Sequence, residues 1–151
     1  MKKLDFEIEL IHGCNYRCSK CPHSLLDKNG ISYNRKFGKI TNEIYEKSIY
    51  YANLYARTLR FSFFGEQTIN KDFETLIYKI PEKRNYKLII NTNFSTFNKK
   101  ICDVFVNKFD FIHISLDSVC QDQYLKTQYP IWYSDLDGNI VGSTTYIPYS
   151  P

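Results

Sequence analysis

The first residues of the chain alternate between apolar and acidic side chains. The alternation runs through Leu4, Asp5, Phe6, Glu7, Ile8, Glu9 and Leu10. A period of two predicts a β-strand with one polar face, because successive side chains of a strand point to opposite sides. Apolar runs predict three further strands, at residues 59–64, 87–91 and 111–116.

Between these strands, apolar residues recur at the spacing of an amphipathic helix. The residues that mark the predicted helices are Thr41 or Asn42 as the first N-cap, Asn70 or Asp72 as the start of the second helix, Pro81 at its end, and the stripe Ile101, Val104 and Phe105 in the third. Strands that alternate with helices predict a parallel sheet with right-handed crossovers. The predicted fold class is therefore α/β, with a sheet of about four strands.

The remaining segments give weaker patterns. Residues 22–40 are polar and predict a loop, and a short helix is predicted at 120–126. Asp137-Gly138 lies between apolar stretches, which predicts a hairpin turn. We therefore expect a βα core over residues 1–127 and a hairpin-like or irregular extension over 128–151.

Composition and charge narrow the class of protein. The chain has 151 residues, of which 43% are hydrophobic and 24% charged, as in globular proteins. It has neither an apolar run of the roughly 18–20 residues that a membrane helix needs nor an apolar segment after Lys2-Lys3 that would make a secretory signal. We therefore expect a cytoplasmic protein without membrane association. The net charge of +4 is spread along the chain, which does not favour nucleic acid as a partner.

Three of the five cysteines form a cluster with the spacing C-x3-C-x2-C, at Cys14, Cys18 and Cys21. An odd cysteine count without an export signal disfavours a disulfide framework. Three thiolates can hold three irons of a [4Fe-4S] cluster and leave the fourth iron open to an outside ligand. The alternative is zinc, with His12 or His23 completing a Cys₃His site.

Polar residues follow each predicted strand at its carboxyl end, where parallel α/β sheets gather their chemistry. They are the loop from Cys14 to Cys21, Gly65-Glu66-Gln67, Asn91-Thr92-Asn93, and Ser115 with Asp117. Because these four strand ends share one rim of the sheet, the sequence predicts a single functional site there.

This arrangement resembles the radical S-adenosylmethionine (SAM) superfamily over about residues 4–126. The C-x3-C-x2-C loop looks like the family signature, and Phe63-Phe64-Gly65-Glu66-Gln67 resembles its Gly-Gly-Glu-Pro motif. Asn91-Thr92-Asn93 resembles the Thr-Asn-Gly stretch of the family, and Ile114-Ser115-Leu116-Asp117 resembles Ser-Leu-Asp. The fold that the resemblance implies is a partial (βα) barrel, here in a short or truncated form.

The resemblance implies a chemistry and a set of ligands. SAM would chelate the open iron, an electron from an external donor of the flavodoxin or ferredoxin type would cleave its sulfonium bond, and the 5′-deoxyadenosyl radical would abstract hydrogen from an unknown substrate or partner protein. The implied metal ligands are Cys14, Cys18 and Cys21. The implied SAM-binding residues are Gly65 and Glu66 for the methionyl ammonium, Ser115 and Asp117 for its carboxylate or the ribose, Asn91 and Asn93 nearby, and Tyr16 or Lys20 near adenine.

The sequence departs from the family pattern in ways that keep other functions open. Lys20 replaces the usual apolar residue before the third cysteine, Phe64 replaces the first glycine and Gln67 replaces the proline. Only 34 residues follow Asp117, whereas a six-unit barrel needs two more βα units. The alternatives are an activating subunit that makes a glycyl radical on a partner enzyme, and a non-catalytic relative or zinc-binding module. An open sheet edge after the fourth strand favours association with another copy or a partner.

Overall fold

The structure is a computed structural model that describes residues 3–18, 21–22, 38–96, 98–116, 133–134 and 140–142. The chain divides into two units, one of Met1–Cys14 with Arg35–Leu116 and the other of Asn15–Asn34 with Asp117–Pro151. Within the described residues, no helix is both long and apolar enough to cross a membrane.

The first unit is built around a parallel sheet. Its elements are β1 (Leu4–Ile8), β2 (Ile11–His12), β3 (Gly38–Lys39), α1 (Asn42–Tyr55), β4 (Ala56–Phe61), a 3₁₀ turn (Gln67–Ile69), α2 (Phe73–Tyr78), β5 (Lys87–Thr92), α3 (Lys99–Lys108) and β6 (Phe111–Ile114). The four long strands are ordered β1-β4-β5-β6 and all neighbours are parallel. The short β2 and β3 pair with each other as antiparallel strands. The predicted four-stranded α/β fold is confirmed.

The helices begin where side chains satisfy their first amide groups. Thr41 Oγ1 accepts a hydrogen bond from Ile44 N at the start of α1, and Asn98 Oδ1 accepts one from Ile101 N at the start of α3. Such N-caps typically contribute about 1 kcal/mol. Ala56, directly after α1, is already extended, so the helix leads into β4 without a loop.

One face of the sheet forms the core of this unit. Leu59 and Phe61 of β4 and Leu88 and Ile90 of β5 are fully buried, as is Val104 of α3. Each such side chain contributes roughly 1.5–3 kcal/mol relative to exposure in water. The alternation of a strand places polar residues on the opposite face. They are Asp5 and Glu7 of β1, Thr58 and Arg60 of β4, Asn91 of β5 and His113 of β6.

Several boundaries differ from the sequence predictions, including the first strand, which ends at Ile8 and not at Leu10, and the second helix, which ends at Tyr78 and not at Pro81. The second long strand covers 56–61 instead of 59–64, because Phe63 has a φ of 107° and the chain turns there. The fourth ends at Ile114, two residues early. Part of the predicted 22–40 loop is the strand β3, which pairs with β2.

The described part of the second unit includes two short strands, β7 (Tyr133–Ser134) and β8 (Ile140–Gly142). They pair as antiparallel strands, in agreement with the predicted hairpin around Asp137-Gly138. The turn itself and the predicted helix at 120–126 lie outside the described residues. The proposed boundary between 127 and 128 stays a prediction.

Candidate functional site

Gly65 lies where two backbone segments approach each other closely at the carboxyl end of the sheet. A Cβ atom at this position would lie 1.9 Å from Ile11 O and 3.0 Å from Gly13 O, so only glycine fits. The next residue is tied to the same loop, because Glu66 N donates a hydrogen bond of 2.8 Å to Gly13 O. The turn after β4 is thereby fixed against the residues that directly precede Cys14.

Glu9 holds this turn from the end of β1. Its Oε1 atom accepts hydrogen bonds from both Phe64 N and Gly65 N, each at 3.0 Å. Its Oε2 atom lies 3.4 Å from Nδ1 of His12. A carboxylate that bridges two consecutive amides in this way makes charge-assisted hydrogen bonds, which are stronger than neutral ones.

Gln67, which stands where the family motif has proline, is completely buried and connects the same two segments. Its Oε1 atom accepts from Leu10 N at 2.6 Å, and its Nε2 atom donates to Gly65 O at 2.9 Å. Asn70 Nδ2 donates to Leu10 O at 2.9 Å. Leu10 O also accepts from Ile40 N at 3.0 Å, so it is Leu10 N that depends on a side chain, Gln67, for its pairing.

The carboxylate of Glu66 is the centre of a buried hydrogen-bond network, and the residue is only 3% exposed. Oε1 accepts from Thr68 N at 3.2 Å, from Thr68 Oγ1 at 2.6 Å and from Thr92 Oγ1 at 2.8 Å. Oε2 accepts from Asn93 N at 2.6 Å and, within the described residues, from no other group. Because a carboxylate offers about four acceptor positions, two on each oxygen, Oε2 keeps acceptor capacity.

Asn93 connects this network to the first cysteine. Its backbone binds Glu66, and its Nδ2 atom donates to Cys14 Sγ at 3.8 Å. Its Oδ1 atom accepts from Ser95 N at 2.9 Å, which holds the side chain in place. Phe94 follows with a φ of 58°. Phe94 is therefore in the left-handed conformation that favours glycine, directly after Thr92 and Asn93.

The other predicted SAM-binding residues lie in different surroundings. Asn91 points to the opposite side of β5 from Thr92 and accepts a hydrogen bond from Arg60. Ser115 is exposed just after β6, and its backbone N donates to Thr92 O at 2.8 Å. Tyr16 is buried in the second unit. Lys20, Asp117 and the alternative zinc ligand His23 lie outside the described residues.

The cysteines of the signature are thiols, each half-buried. Cys21 N donates to Cys18 O at 3.0 Å, which forms a tight turn between them. Three sulfur donors within eight residues fit an iron–sulfur cluster by their chemistry. Within the described residues, no three His, Cys, Asp or Glu side chains are gathered as a metal site. Cys102, which lies in α3, is also half-buried.

Sequence reasoning missed the supporting residues of the site. The sequence places Glu9 only on the polar face of a strand, and it places Gln67 at the predicted rim and as a departure from the motif, without a structural role. The signal for Glu9 was its place at the end of the acidic alternation, next to the cysteine loop. Thr92 was noted as part of a motif, but nothing in the sequence marked its hydroxyl as a partner of Glu66.

A family model described as "Radical SAM superfamily" matches residues 8–130. A search of curated proteins finds no match. Among solved structures, "Crystal structure of BtrN in complex with AdoMet and 2-DOIA" matches with a TM-score of 0.59 and 22% identity, over 79% of this chain and 49% of that chain.

A second structure, "Crystal structure of SeMet BtrN in an OPEN conformation", matches with a TM-score of 0.59 and 20% identity, over 82% of this chain and 56% of that one. The present chain thus spans about half the length of the solved chains that it matches. At these identities the likeness shows the fold, and it confirms the predicted α/β sheet of the partial-barrel type.

Proposed function

This chain belongs to the radical SAM superfamily, and we propose that it is an enzyme that binds a [4Fe-4S] cluster and S-adenosylmethionine. When bound and reduced, such a cluster supplies the electron that cleaves SAM to a 5′-deoxyadenosyl radical for hydrogen abstraction from substrate. The work of the protein is to hold, orient and shield these groups. We further propose a cytoplasmic enzyme reduced by an external donor of the flavodoxin or ferredoxin type.

Cys14, Cys18 and Cys21 are the proposed cluster ligands. Their spacing and their sulfur donors support this assignment. Three sulfur ligands on a cubane of four irons leave one iron for an outside ligand, which is the position at which SAM would bind. The hydrogen bond from Asn93 Nδ2 to Cys14 Sγ supports a role of Asn93 in tuning that sulfur.

The observation that carries the proposal is the buried carboxylate of Glu66. Four hydrogen bonds fix it between β4 and β5, and Oε2 retains acceptor capacity. We propose that Oε2 accepts a hydrogen bond from the methionyl ammonium of SAM. A charge-assisted bond of this kind is favourable in a buried setting, because a carboxylate already held in place need not be reorganised on binding.

The remaining contacts are assigned by their position along the chain. We propose that Gly65 lets the backbone approach the methionyl group, and that Asn93, Ser115 and Asp117 contact the methionyl carboxylate or the ribose. Tyr16 or Lys20 would border adenine. A structure similar to this chain is that of BtrN in complex with AdoMet, which supports SAM as a ligand here.

Anaerobic reconstitution with iron and sulfide tests the proposal. We expect a brown protein with about four irons per chain, and formation of 5′-deoxyadenosine from SAM on reduction with dithionite. Cys18→Ala should lose the cluster, whereas the matched control Cys102→Ala, which changes a thiol in α3, should keep it. A colourless protein that holds one zinc, or equal iron loss in both variants, would contradict the proposal.

A further inference from the structure

A row of polar side chains crosses the sheet on the face opposite the core. In register, Glu7 of β1 lies beside Arg60 of β4, and Asn91 of β5 lies beside His113 of β6. Arg60 Nη1 donates to Asn91 Oδ1 at 3.2 Å and lies 3.5 Å from His113 Nδ1. The guanidinium of Arg60 therefore points towards β5 and β6, the two strands that follow β4 in the sheet.

These contacts occupy the acceptor atoms of Asn91 and His113 and leave the donors of both residues. Since Asn91 Oδ1 and His113 Nδ1 both face the guanidinium, the amide group of Asn91 and an Nε2–H of His113 remain as donors. Within the described residues, Arg60 Nε and Nη2 have no hydrogen-bond partner. The groups that Arg60, Asn91 and His113 offer to a ligand are thus all hydrogen-bond donors.

Within the described residues Arg60 forms no ion pair of its own, although its charge helps to lower the pKa of Asp5. Asp5 is paired with Arg57 on β4, and Glu7 accepts a hydrogen bond from Ser62 Oγ. Although Glu7 is the register partner of Arg60, no ion pair joins them within the described residues. A half-buried guanidinium beside neutral donors is a suitable partner for an oxyanion, because Arg binds carboxylate and phosphate oxygens through two N–H groups at once.

We propose that Arg60, Asn91 and His113 form a binding site for an oxyanion, a carboxylate or phosphate group, of the substrate. The assignment rests on the proposed function, which places SAM at the strand ends beside Glu66. Thr92, the partner of Glu66, and Asn91, the partner of Arg60, are consecutive residues of β5 and point to opposite sides of the sheet. The oxyanion site is therefore separate from the methionyl site, and its ligand is a second molecule.

Titration of the full chain with inorganic phosphate and with malonate tests this site, monitored by NMR of arginine side-chain Nε–H groups. We expect Arg60→Gln to weaken the binding of at least one anion about tenfold, since hydrogen bonds to charged groups are worth about this much. Arg60→Lys should retain only part of the affinity, because lysine keeps the charge but loses the fork. The matched control Arg57→Gln removes the same charge from the same strand and should change affinity less than about twofold.

Equal weakening by Arg57→Gln and Arg60→Gln would show attraction by net charge alone and would overturn the site. Unchanged binding in Arg60→Gln, with a lowered stability, would show that the row only joins the strands. A third arm adds saturating SAM to the reconstituted protein. Phosphate or malonate should still bind; mutual competition, with weaker SAM binding in Arg60→Gln, would identify the oxyanion as the methionyl carboxylate and overturn the substrate assignment. Because anion binding is measured without turnover, failure of SAM cleavage would be a separate result.

Discussion

The Nδ2 atom of Asn93 lies 3.8 Å from Sγ of Cys14, while the backbone N of Asn93 donates to the buried carboxylate of Glu66. One residue at the end of β5 thus contacts both the first proposed cluster ligand and the proposed ligand of the methionyl ammonium. Asn93 therefore links the two groups through its own side chain and backbone.

Asn93→Ala should lower the reduction potential of the bound cluster. A donor to a ligating sulfur stabilises the more negative, reduced form, so its loss favours the oxidised form. The measurement is a redox titration followed by electron paramagnetic resonance. Asn85→Ala, a change at an exposed asparagine before β5, is the control and should leave the potential unchanged. A higher potential in Asn93→Ala would contradict the prediction.

Glu66→Gln should lower both SAM affinity and stability. The amide has one oxygen and one donor NH₂, whereas the carboxylate of Glu66 accepts on both oxygens, so one buried donor loses its acceptor. We expect a loss of about 1–3 kcal/mol in the free energy of unfolding, the usual cost of an unsatisfied buried group. Urea denaturation and equilibrium dialysis with SAM measure the two effects. Glu43→Gln, at an exposed position of α1, should change neither.

Gly65→Ala should disrupt the turn after β4. The new Cβ would overlap Ile11 O, which forces the backbone of either the 64–66 turn or the loop before Cys14 to move. Because Glu66 N is bonded to Gly13 O, this displacement reaches the first proposed ligand. We expect a lower melting temperature and reduced iron content after reconstitution. Val106→Ala, at an 80% exposed helix position, provides the baseline. Wild-type iron content in Gly65→Ala would show that the contact does not position Cys14.

Asp110 predicts a specific acid sensitivity, at the opposite end of the sheet from the site. Burial raises the pKa of Asp110. The hydrogen bond from Leu88 N and the neighbouring Lys87 and Arg84 lower it by more than burial raises it, so the pKa falls to about 2. Since the unfolded value is about 3.9, the carboxylate stabilises the fold fully above that pH and less as the pH falls towards 2. Asp110→Asn should therefore be less stable than wild type at neutral pH, and the difference should shrink between about pH 4 and 2. Urea denaturation across this range measures it; a constant difference would contradict the assignment.

The α/β fold was predictable because its signals are local. The acidic alternation of β1 and the cap at Thr41 follow from strand periodicity and from a side chain that binds the first amides of a helix. The end of β4 was not predictable, because Phe63 adopts a positive φ that phenylalanine does not signal. The sequence pattern of three aromatic or apolar residues there is typical of a strand that continues.

The location of the site at the carboxyl ends of the strands was predictable, but the hydrogen bonds that join its residues were not. Glu66 follows from its place after a strand and a glycine. Its partners Thr68 and Thr92 do not. Nothing in the sequence around a threonine shows whether its hydroxyl donates to a buried carboxylate or to water. The roles of Glu9 and Gln67 depend on contacts across more than 50 residues, Glu9 to Gly65 and Gln67 to Leu10, which only the folded sheet establishes.

The alternation of side chains along β5 fixes the number of residues that this strand can have. Thr92 serves Glu66 on one side of the strand and Asn91 serves Arg60 on the other, so the two sets of contacts are interleaved along one stretch of backbone. A deletion or insertion of one residue between Lys87 and Thr92 would exchange the two sides at once. Diversification of this chain by changes in length is therefore confined to its loops, and β5 can change only by substitution.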